Sequence, residues 1–420
     1  MLYIDFTIKL VKYFYVFFIF LLLGIFNIIS FPKIILCYIF YCIYVQFSSK
    51  SKLYYTKNKK NDTIISNCPN MLNPNFKPYF FFPFAFQQSL VCASKYVIQR
   101  NNNRKLQFRE EKINNYGLRI YWPYFSDQIE INDNNTPILM ILPGMTGTIN
   151  DSVVINCLIE GLKKGYHVCV YQMRIISEDF GVDENQSFTH KEDINLAIDY
   201  IRANPNYGKA KIFAIGYSYG ANNLLSFLGD INSKCDKNNK KIEAAASISN
   251  PFDMKLCQRL CEYNIISYIV SFLERKNSRK IRTSIENCKN IKNMNIEELV
   301  NCYDVKKFDE IFSAKVYGDK SADDYYRNIS SCNKMEKIDV PVLCIQSDDD
   351  PMTPKDVIAY DEIKINPNLF LIVTDRGSHM SFISNEKFNE FRQWHFKPIF
   401  EFFNAIMNFD NILFNKNIFK

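Results

Sequence analysis

Residues 211–230 read KIFAIGYSYGANNLLSFLGD, and this stretch decides the fold class. The apolar run at 212–215 predicts a buried strand, and the leucines after residue 220 share one face of a predicted helix. Between the two lies a G-x-S-x-G sequence at residues 216–220, centred on Ser218. A serine in such a strand–turn–helix context is typical of a nucleophile whose hydroxyl is exposed at the edge of a sheet.

The two glycines of this motif have a steric role. G-x-S-x-G also occurs by chance in loops rich in serine and glycine, but a loop would lack the flanking strand and helix patterns. Gly216 and Gly220 remove side chains that would collide where the strand meets the helix, and Ser218 is expected to lie in a strained turn. We therefore expect bulky residues at either glycine to prevent the turn from forming.

A histidine is the next requirement, because a serine hydroxyl is a weak nucleophile that needs a base and an orienting carboxylate. The chain contains four histidines. His167, His190 and His395 are predicted to be structural or surface residues. His379 follows an apolar strand after a short loop, and it completes the chain order Ser, Asp, His. His379 is therefore the predicted base for Ser218.

The acid is predicted in the sequence SDDDP at 347–351, directly after another apolar strand. Three adjacent aspartates leave a choice. Asp350 is preferred because it immediately precedes Pro351, whose ring fixes the turn, and Asp349 is the reserve. A solvated acidic turn is the alternative explanation for this run.

Acyl transfer also needs donors for the developing oxyanion. The backbone N–H of Tyr219, directly after the nucleophile, is one candidate. The second is assigned to the backbone N–H of Met145, in the sequence PGMTG at 143–147 that follows the strand PILMIL. By itself this second motif is also compatible with an ordinary glycine turn.

Around these motifs, short apolar runs alternate with helical patterns, which predicts an α/β-hydrolase fold: a mostly parallel central sheet flanked by helices. The hydrolase domain is predicted over 74–410. Its pattern is interrupted at about 252–336 by a mainly helical stretch, too long for a loop and interpreted as a cap. Residues 48–73 are rich in Asn and Lys and are predicted to be a polar linker.

The N-terminal residues 1–47 are predicted to be a membrane anchor. Residues 11–30 supply about twenty mostly apolar residues, enough to cross a bilayer. A cleaved signal peptide fits less well, because its apolar region is shorter. A second apolar run at 34–47 is compatible with an interfacial helix, a half-hairpin or a second crossing. Lysines are denser after the segment than before it, which favours a cytoplasmic catalytic domain.

Composition excludes several classes of function. The net charge of +7 comes from lysines in Asn/Lys-rich stretches and not from one basic stripe, so nucleic-acid binding is not expected. The 13 cysteines are odd in number and lack zinc spacing, which favours reduced thiols. No metal or organic cofactor is expected, since a serine, histidine and aspartate need none. Oligomeric state is not indicated.

The chain resembles the membrane-anchored α/β-hydrolase domain family of the 1/2/3 type, which is related to the YheT-like esterases. The resemblance covers roughly residues 108–385 and rests on motifs in order: LPGMTGT, GYSYGANN, SNPFDM, ERKNSRKI, FDEIFSAKVYGDKSADDYYRNIS, SDDDPMTP and GSHMSF. It implies Ser218 as nucleophile, Asp350 as acid and His379 as base. It also implies an N-terminal anchor and activity on carboxylic esters.

The function expected from these observations is hydrolysis of carboxylic esters, such as acylglycerols or phospholipids, that partition into a membrane. An acyltransferase would use the same three residues, with an alcohol in place of water at the acyl-enzyme. A third possibility is a non-catalytic membrane receptor or scaffold on a hydrolase fold, since fold alone does not fix function.

Overall fold

A computed structural model of the chain describes residues 31–89, 91–92, 106–125, 134–181, 189–230, 241–262, 265–280, 282–287, 294–387 and 390–409. Within these ranges one large sheet carries helices on both faces. Its strands, in chain order, are β1 Ser51–Tyr55, β2 Leu106–Lys112, β3 Arg119–Phe125, β4 Ile138–Leu142, β5 His167–Gln172, β6 Ile212–Tyr217, β7 Ala244–Ile248, β8 Val342–Ser347 and β9 Leu369–Thr374. A separate hairpin pairs β10 Ile383–Lys387 with β11 Glu390–Gln393.

The spatial order of the nine-stranded sheet is β1-β9-β8-β7-β6-β4-β5-β3-β2. Strands β4 to β9 run parallel to their neighbours among themselves, whereas β1, β2 and β3 pair antiparallel at the two edges. Every residue of β4, β6, β7, β8 and β9 is buried. Continuous apolar runs of this kind are what a parallel sheet covered on both faces requires, so the predicted mostly parallel sheet is confirmed.

Helices alternate with the parallel strands and cover both faces of the sheet. They are α1 Phe31–Ser48, α2 Lys59–Ser66, α3 Pro69–Leu72, α4 Ser152–Lys163, α5 His190–Arg202, α6 Tyr219–Asp230, α7 Met254–Cys261, α8 Ile265–Lys280, α9 Arg282–Asn287, α10 Ile296–Val300, α11 Val305–Ile311, α12 Ser313–Tyr317, α13 Ala322–Ile329, α14 Tyr360–Ile365 and α15 Phe396–Met407. One apolar cluster joins α5 and α6 to the sheet, and a second joins α4 and α15 to its opposite face.

The segment between β7 and β8 contains α7 to α13. Two of its apolar clusters are largely separate from the sheet: one centres on Leu299, Phe308 and Phe312, and the other on Tyr325 and Tyr326. We use the name cap for residues 252–336, the bounds that the sequence suggested.

The prediction of a polar linker at 48–73 differs from the structure, which forms β1, α2 and α3 there. Strand β1 pairs antiparallel with β9 and so becomes one edge of the sheet. Ile64, Ile65 and Met71 are buried against the sheet. Few apolar residues suffice here because the main-chain bonds to β9 supply much of the order, an effect that composition does not show.

The predicted membrane anchor at 11–30 lies outside the described residues. The second apolar run falls within α1, which packs against the segment that follows α3: the Gln46 amide donates to the Pro78 carbonyl at 2.7 Å, and Tyr41 stacks on Phe84. Across the portion of the chain that the structure describes, no helix combines the length and apolar character needed to cross a membrane.

Candidate active site

The turn between β6 and α6 holds Ser218 in a left-handed conformation, with φ of 52°. Such a conformation is strained for a residue with a side chain, and it persists only where the surroundings enforce it. A Cβ at Gly216 would lie 2.6 Å from the Cα of Ala221, and one at Gly220 would lie 2.1 Å from the carbonyl oxygen of Pro143. Both glycines are therefore required by close main-chain approaches.

Ser218, His379 and Asp350 lie within hydrogen-bond distance of one another in series. The Ser218 Oγ is 2.9 Å from His379 Nε2, and His379 Nδ1 is 2.8 Å from Asp350 Oδ2. A carboxylate at Nδ1 favours the tautomer with the proton on that nitrogen, which leaves Nε2 able to accept the proton of the serine hydroxyl. The His379 and Asp350 side chains are almost fully buried.

Asp350 is fixed by its own loop. Its carboxylate accepts hydrogen bonds from the backbone N–H groups of Met352 and Thr353, at 2.8 and 2.9 Å, and from the Thr353 hydroxyl at 2.6 Å. These donors, together with His379, occupy both oxygens. The acid is therefore held in one orientation before any substrate binds.

The reserve candidate, Asp349, has different partners. It accepts hydrogen bonds from the Ser347 hydroxyl at 2.6 Å and the Ser378 backbone N–H at 2.9 Å, and it makes no bond to His379. Burial raises the pKa of Asp349 to about 6, although Arg376 opposes the shift. Asp349 thus joins the acid loop to the loop that carries the histidine.

Ser249, at the end of β7, also supports the histidine loop and was not identified from the sequence. Its hydroxyl accepts a hydrogen bond at 3.0 Å from the backbone N–H of Met380. Ser249, Ser378 and Met380 have positive φ values of 50°, 59° and 61°. The only sequence signal is the position of Ser249 directly after a predicted strand, at the edge where catalytic loops collect.

The two predicted oxyanion donors lie beside the nucleophile. Tyr219 is the first residue of α6, so the helix supplies no carbonyl for its N–H. The loop of Met145 lies against Ser218, since a Cβ on its neighbour Gly144 would be 3.4 Å from the serine Cβ. Met145, Ser218 and Tyr219 all line one cavity.

The other three histidines are not part of this hydrogen-bonded series, although His190 lines the same cavity. His395 precedes α15 and packs on Tyr217, and burial lowers its pKa to about 3. His190 begins α5, its Nε2 pairs with the hydroxyl of Tyr317 in the cap, and burial likewise lowers its pKa to about 3. His167 is buried on β5. None of the three is hydrogen-bonded to Ser218.

A cavity of about 910 Å³ extends from Ser218 and His379 to the cap. Much of its wall is apolar, contributed by residues of the loops and of the cap such as Ile175, Met254 and Phe308. Within the ranges described, no group of three or more His, Cys, Asp or Glu side chains is placed to hold a metal ion. The arrangement offers a nucleophile, a base and a largely apolar cavity beside them.

The sequence is similar to those of several known proteins. Phospholipase ABHD3 of Homo sapiens is 26% identical to this chain over 265 residues, which cover 60% of this chain and 62% of the relative. The embryogenesis-associated protein EMB8 of Picea glauca is 26% identical over 279 residues, 64% of this chain and 59% of the relative. A monoacylglycerol lipase of Saccharomyces cerevisiae is 27% identical over 307 residues, 69% and 64% of the two chains.

The aligned parts thus span about three fifths of the length of these relatives. The family described as alpha/beta hydrolase fold matches residues 137–386, which contain the strands β4 to β9, the cap and the three side chains joined in series. The chain belongs to the α/β-hydrolase family.

Proposed function

We propose that this protein is a serine hydrolase that cleaves carboxylic esters through an acyl-enzyme on Ser218. The observation that carries the proposal is the continuous hydrogen-bonded series from the Ser218 Oγ through His379 to Asp350. Relatives that are named phospholipase and monoacylglycerol lipase support an ester substrate.

In the proposed reaction, His379 Nε2 takes the hydroxyl proton as the Ser218 Oγ attacks the ester carbonyl carbon. The N–H groups of Met145 and Tyr219 stabilise the oxyanion, and Asp350 stabilises the charged imidazolium. The imidazolium then returns its proton to the leaving alcohol. Water, activated by the same histidine, hydrolyses the acyl-enzyme and regenerates the serine.

The proposed substrate is lipid-like. A cavity of about 910 Å³ with many apolar lining residues suits an acyl chain, since burying hydrocarbon there removes it from water. The size is within the usual range for small-molecule sites. A short, fully polar ester would leave much of this wall without contacts.

The proposed serine is tested by labelling the full-length protein with a fluorophosphonate, which reacts with activated serines. Wild type is expected to be labelled and Ser218→Ala to remain unlabelled. Ser66→Ala serves as the matched control, because it removes an exposed serine of α2 that does not line the cavity, and this variant should still react. Equal labelling of wild type and Ser218→Ala would place the reactive serine elsewhere.

We also propose that the protein associates with a membrane through its N-terminal residues. Helix α1 leaves Phe40, Tyr44 and Phe47 exposed by 61%, 62% and 86%, although the helix is docked on the hydrolase domain. Apolar surface of this kind is stabilised by lipid. The apolar residues 11–30 precede it in the sequence and would add a spanning segment.

Extraction of membranes at alkaline pH tests this arrangement. The full chain is expected to stay with the lipid, whereas a chain lacking 1–30 should be released from it and bind vesicles only peripherally. In that shortened chain, Phe40→Glu with Phe47→Glu should abolish vesicle binding. Leu72→Glu with Ile365→Glu, two exposed apolar residues elsewhere, is the control.

We propose that the catalytic domain faces the cytoplasm. The lysines that follow α1 are the sequence basis for this orientation. No disulfide joins any two of the 11 cysteines in the described ranges, which fits a reducing compartment. Protease digestion of sealed membrane vesicles of known orientation tests the proposal, because only a domain on the outer face is cleaved before detergent is added.

A further inference from the structure

Two acidic residues of the cap line the same cavity as Ser218. Glu274 lies on α8 and Asp309 on α11, and these two helices pack against each other. Their exposed fractions are only 5% and 6%. Burying a carboxyl group in a largely apolar wall costs free energy unless the group is hydrogen-bonded. The hydrogen-bond partners of the two acids therefore determine their roles.

The hydrogen bonding of the two acids differs. Asp309 accepts hydrogen bonds from the hydroxyls of Ser313 and Tyr326, which satisfy both of its oxygens. Glu274 Oε2 is buried and has no hydrogen-bond partner in the described part of the chain. No ion pair to either acid is found there, and the adjacent Arg275 guanidinium lies 3.6 Å from the centre of the Tyr303 ring.

The protonation states of the two acids also differ. Burial raises the pKa of Asp309 to about 6, against the stabilising hydroxyl bonds. Burial, reinforced by the charge of Asp309, raises the pKa of Glu274 well above its ordinary value. The two hydroxyl donors favour the charged form of Asp309, whereas nothing in the described chain stabilises a charge on the Glu274 oxygen. Glu274 is therefore the member of the pair that is held as a neutral carboxylic acid, which can donate and accept hydrogen bonds.

We propose that Glu274 determines substrate specificity by binding a hydroxyl group of an uncharged ester within the cavity. This inference rests on the proposed function and names its substrate class. A purely hydrocarbon substrate would leave the buried Glu274 oxygen without a partner. Lys276 and Lys280 also line the cavity, but an anionic group placed next to Glu274 would lie near the charge of Asp309 and be repelled. A neutral hydroxyl group supplies the missing hydrogen-bond partner of Glu274 and is not repelled by Asp309.

The test uses three esters with the same carbon skeleton: propyl octanoate, 3-hydroxypropyl octanoate and propyl 8-hydroxyoctanoate. The two hydroxylated esters probe the alcohol side and the acyl side. For the full-length wild type, kcat/KM is expected to be about 10-fold or more higher for one hydroxylated ester than for propyl octanoate, because sites built to bind a hydroxyl reject analogues that lack it. Glu274→Leu should abolish this preference.

Glu274→Gln should retain most of the preference, since the amide still donates and accepts, and Glu286→Leu, an exposed carboxyl on α9, is the matched control. Thermal unfolding distinguishes a role in substrate binding from a structural role. Glu274→Leu removes a buried unpaired oxygen and should therefore not lower Tm.

The inference would be overturned if Glu274→Leu lowered kcat/KM equally for all three esters. It would also be overturned if the wild type preferred octanoylcholine and Glu274→Leu removed that preference. If the wild type turned over propyl octanoate but showed no preference for a hydroxylated ester, only the inference about Glu274 would be overturned. If no ester were turned over, the proposed function would be contradicted as well.

Discussion

The acid loop after β8 and the cap each bury a carboxyl group, and they treat it differently. Asp350 accepts hydrogen bonds from two backbone N–H groups, a hydroxyl and an imidazole. Glu274 has an oxygen for which the described chain supplies no donor or acceptor. The protein has completed the environment of Asp350 in advance, while that of Glu274 is completed only by what enters the cavity.

Catalysis and specificity therefore depend on different kinds of site. Groups that act in every turnover gain from fixed geometry, because reorganisation during the reaction is then avoided. A group that selects a substrate must remain without a hydrogen-bond partner until the substrate arrives. Substitutions in the fixed region should therefore lower kcat or stability on every ester.

Loss of the base should have the largest effect. His379→Ala leaves Ser218 without its proton acceptor at 2.9 Å, and we expect kcat to fall by about 10⁴-fold or more. His190→Ala, which alters a histidine of the same cavity that does not contact the serine, should retain far more activity. Similar kcat values for the two variants, measured on a p-nitrophenyl ester, would contradict the assignment of the base.

The next largest difference in kcat should be between variants of the two adjacent acids, Asp350 and Asp349. Asp350→Asn replaces the acceptor for the His379 Nδ1 proton and favours the wrong tautomer, so kcat should fall by about 10³- to 10⁴-fold. Asp349→Asn keeps an acceptor oxygen for Ser347 and Ser378 and should change kcat by less than about 10-fold. The opposite ranking would move the acid by one residue.

Stability measurements compare the cap with the close-packed elbow, the turn at 216–220 between β6 and α6. An alanine Cβ at Gly220 would lie 2.1 Å from the Pro143 carbonyl oxygen, so Gly220→Ala should lower the free energy of unfolding by about 3 kcal/mol or more. Gly318→Ala, in the cap, meets nothing within 4 Å and should cost about 1 kcal/mol for its left-handed backbone. Urea unfolding of the two variants measures the difference, and equal costs would contradict the tight packing at the elbow.

The pH dependence of stability tests the buried state of Asp349. Its folded pKa of about 6 lies above the ordinary value of 3.8, so the folded protein holds this proton more tightly than the unfolded chain. The resulting stabilisation is present below about pH 4 and is lost as pH rises to about 6, a change of about 3 kcal/mol.

The asparagine in Asp349→Asn does not titrate, so this variant does not lose stability between pH 4 and pH 6 as the wild type does. Relative to wild type, its free energy of unfolding should therefore increase by about that amount between pH 4 and pH 7. Urea titrations of both proteins at each pH provide the measurement. A difference that is independent of pH would show that Asp349 is not protonated on burial.

The parallel sheet and the residues at its carboxyl edge could be predicted because the sequence patterns that indicate them are local. Ser218 lies in a five-residue motif with a strand before it and a helix after it, and the positions of Asp350 and His379 follow from the next strands. The structure brings these three side chains together in the predicted order. Buried parallel strands are also recognisable as short, continuous apolar runs.

Strand β1 and the contacts of Ser249 and Glu274 were not predicted, because they depend on residues that are distant in the sequence. Strand β1 is ordered by pairing with β9, more than 300 residues away, and its polar flanks resembled a linker. The role of Ser249 depends on the backbone of Met380. Glu274 lies in an ordinary charged helical sequence, and its burial and lack of a partner arise only when α8 packs into the cap.

Rapid acid quenching followed by peptide mass spectrometry shows whether Ser218 carries the acyl group during turnover. The full-length protein is mixed with a p-nitrophenyl ester and quenched within its first turnover. We expect the peptide containing Ser218 to gain the mass of the acyl group, and Ser218→Ala to show no acylated peptide. Ester turnover with the acyl group on another residue, or with Ser218→Ala as active as wild type, would contradict this expectation.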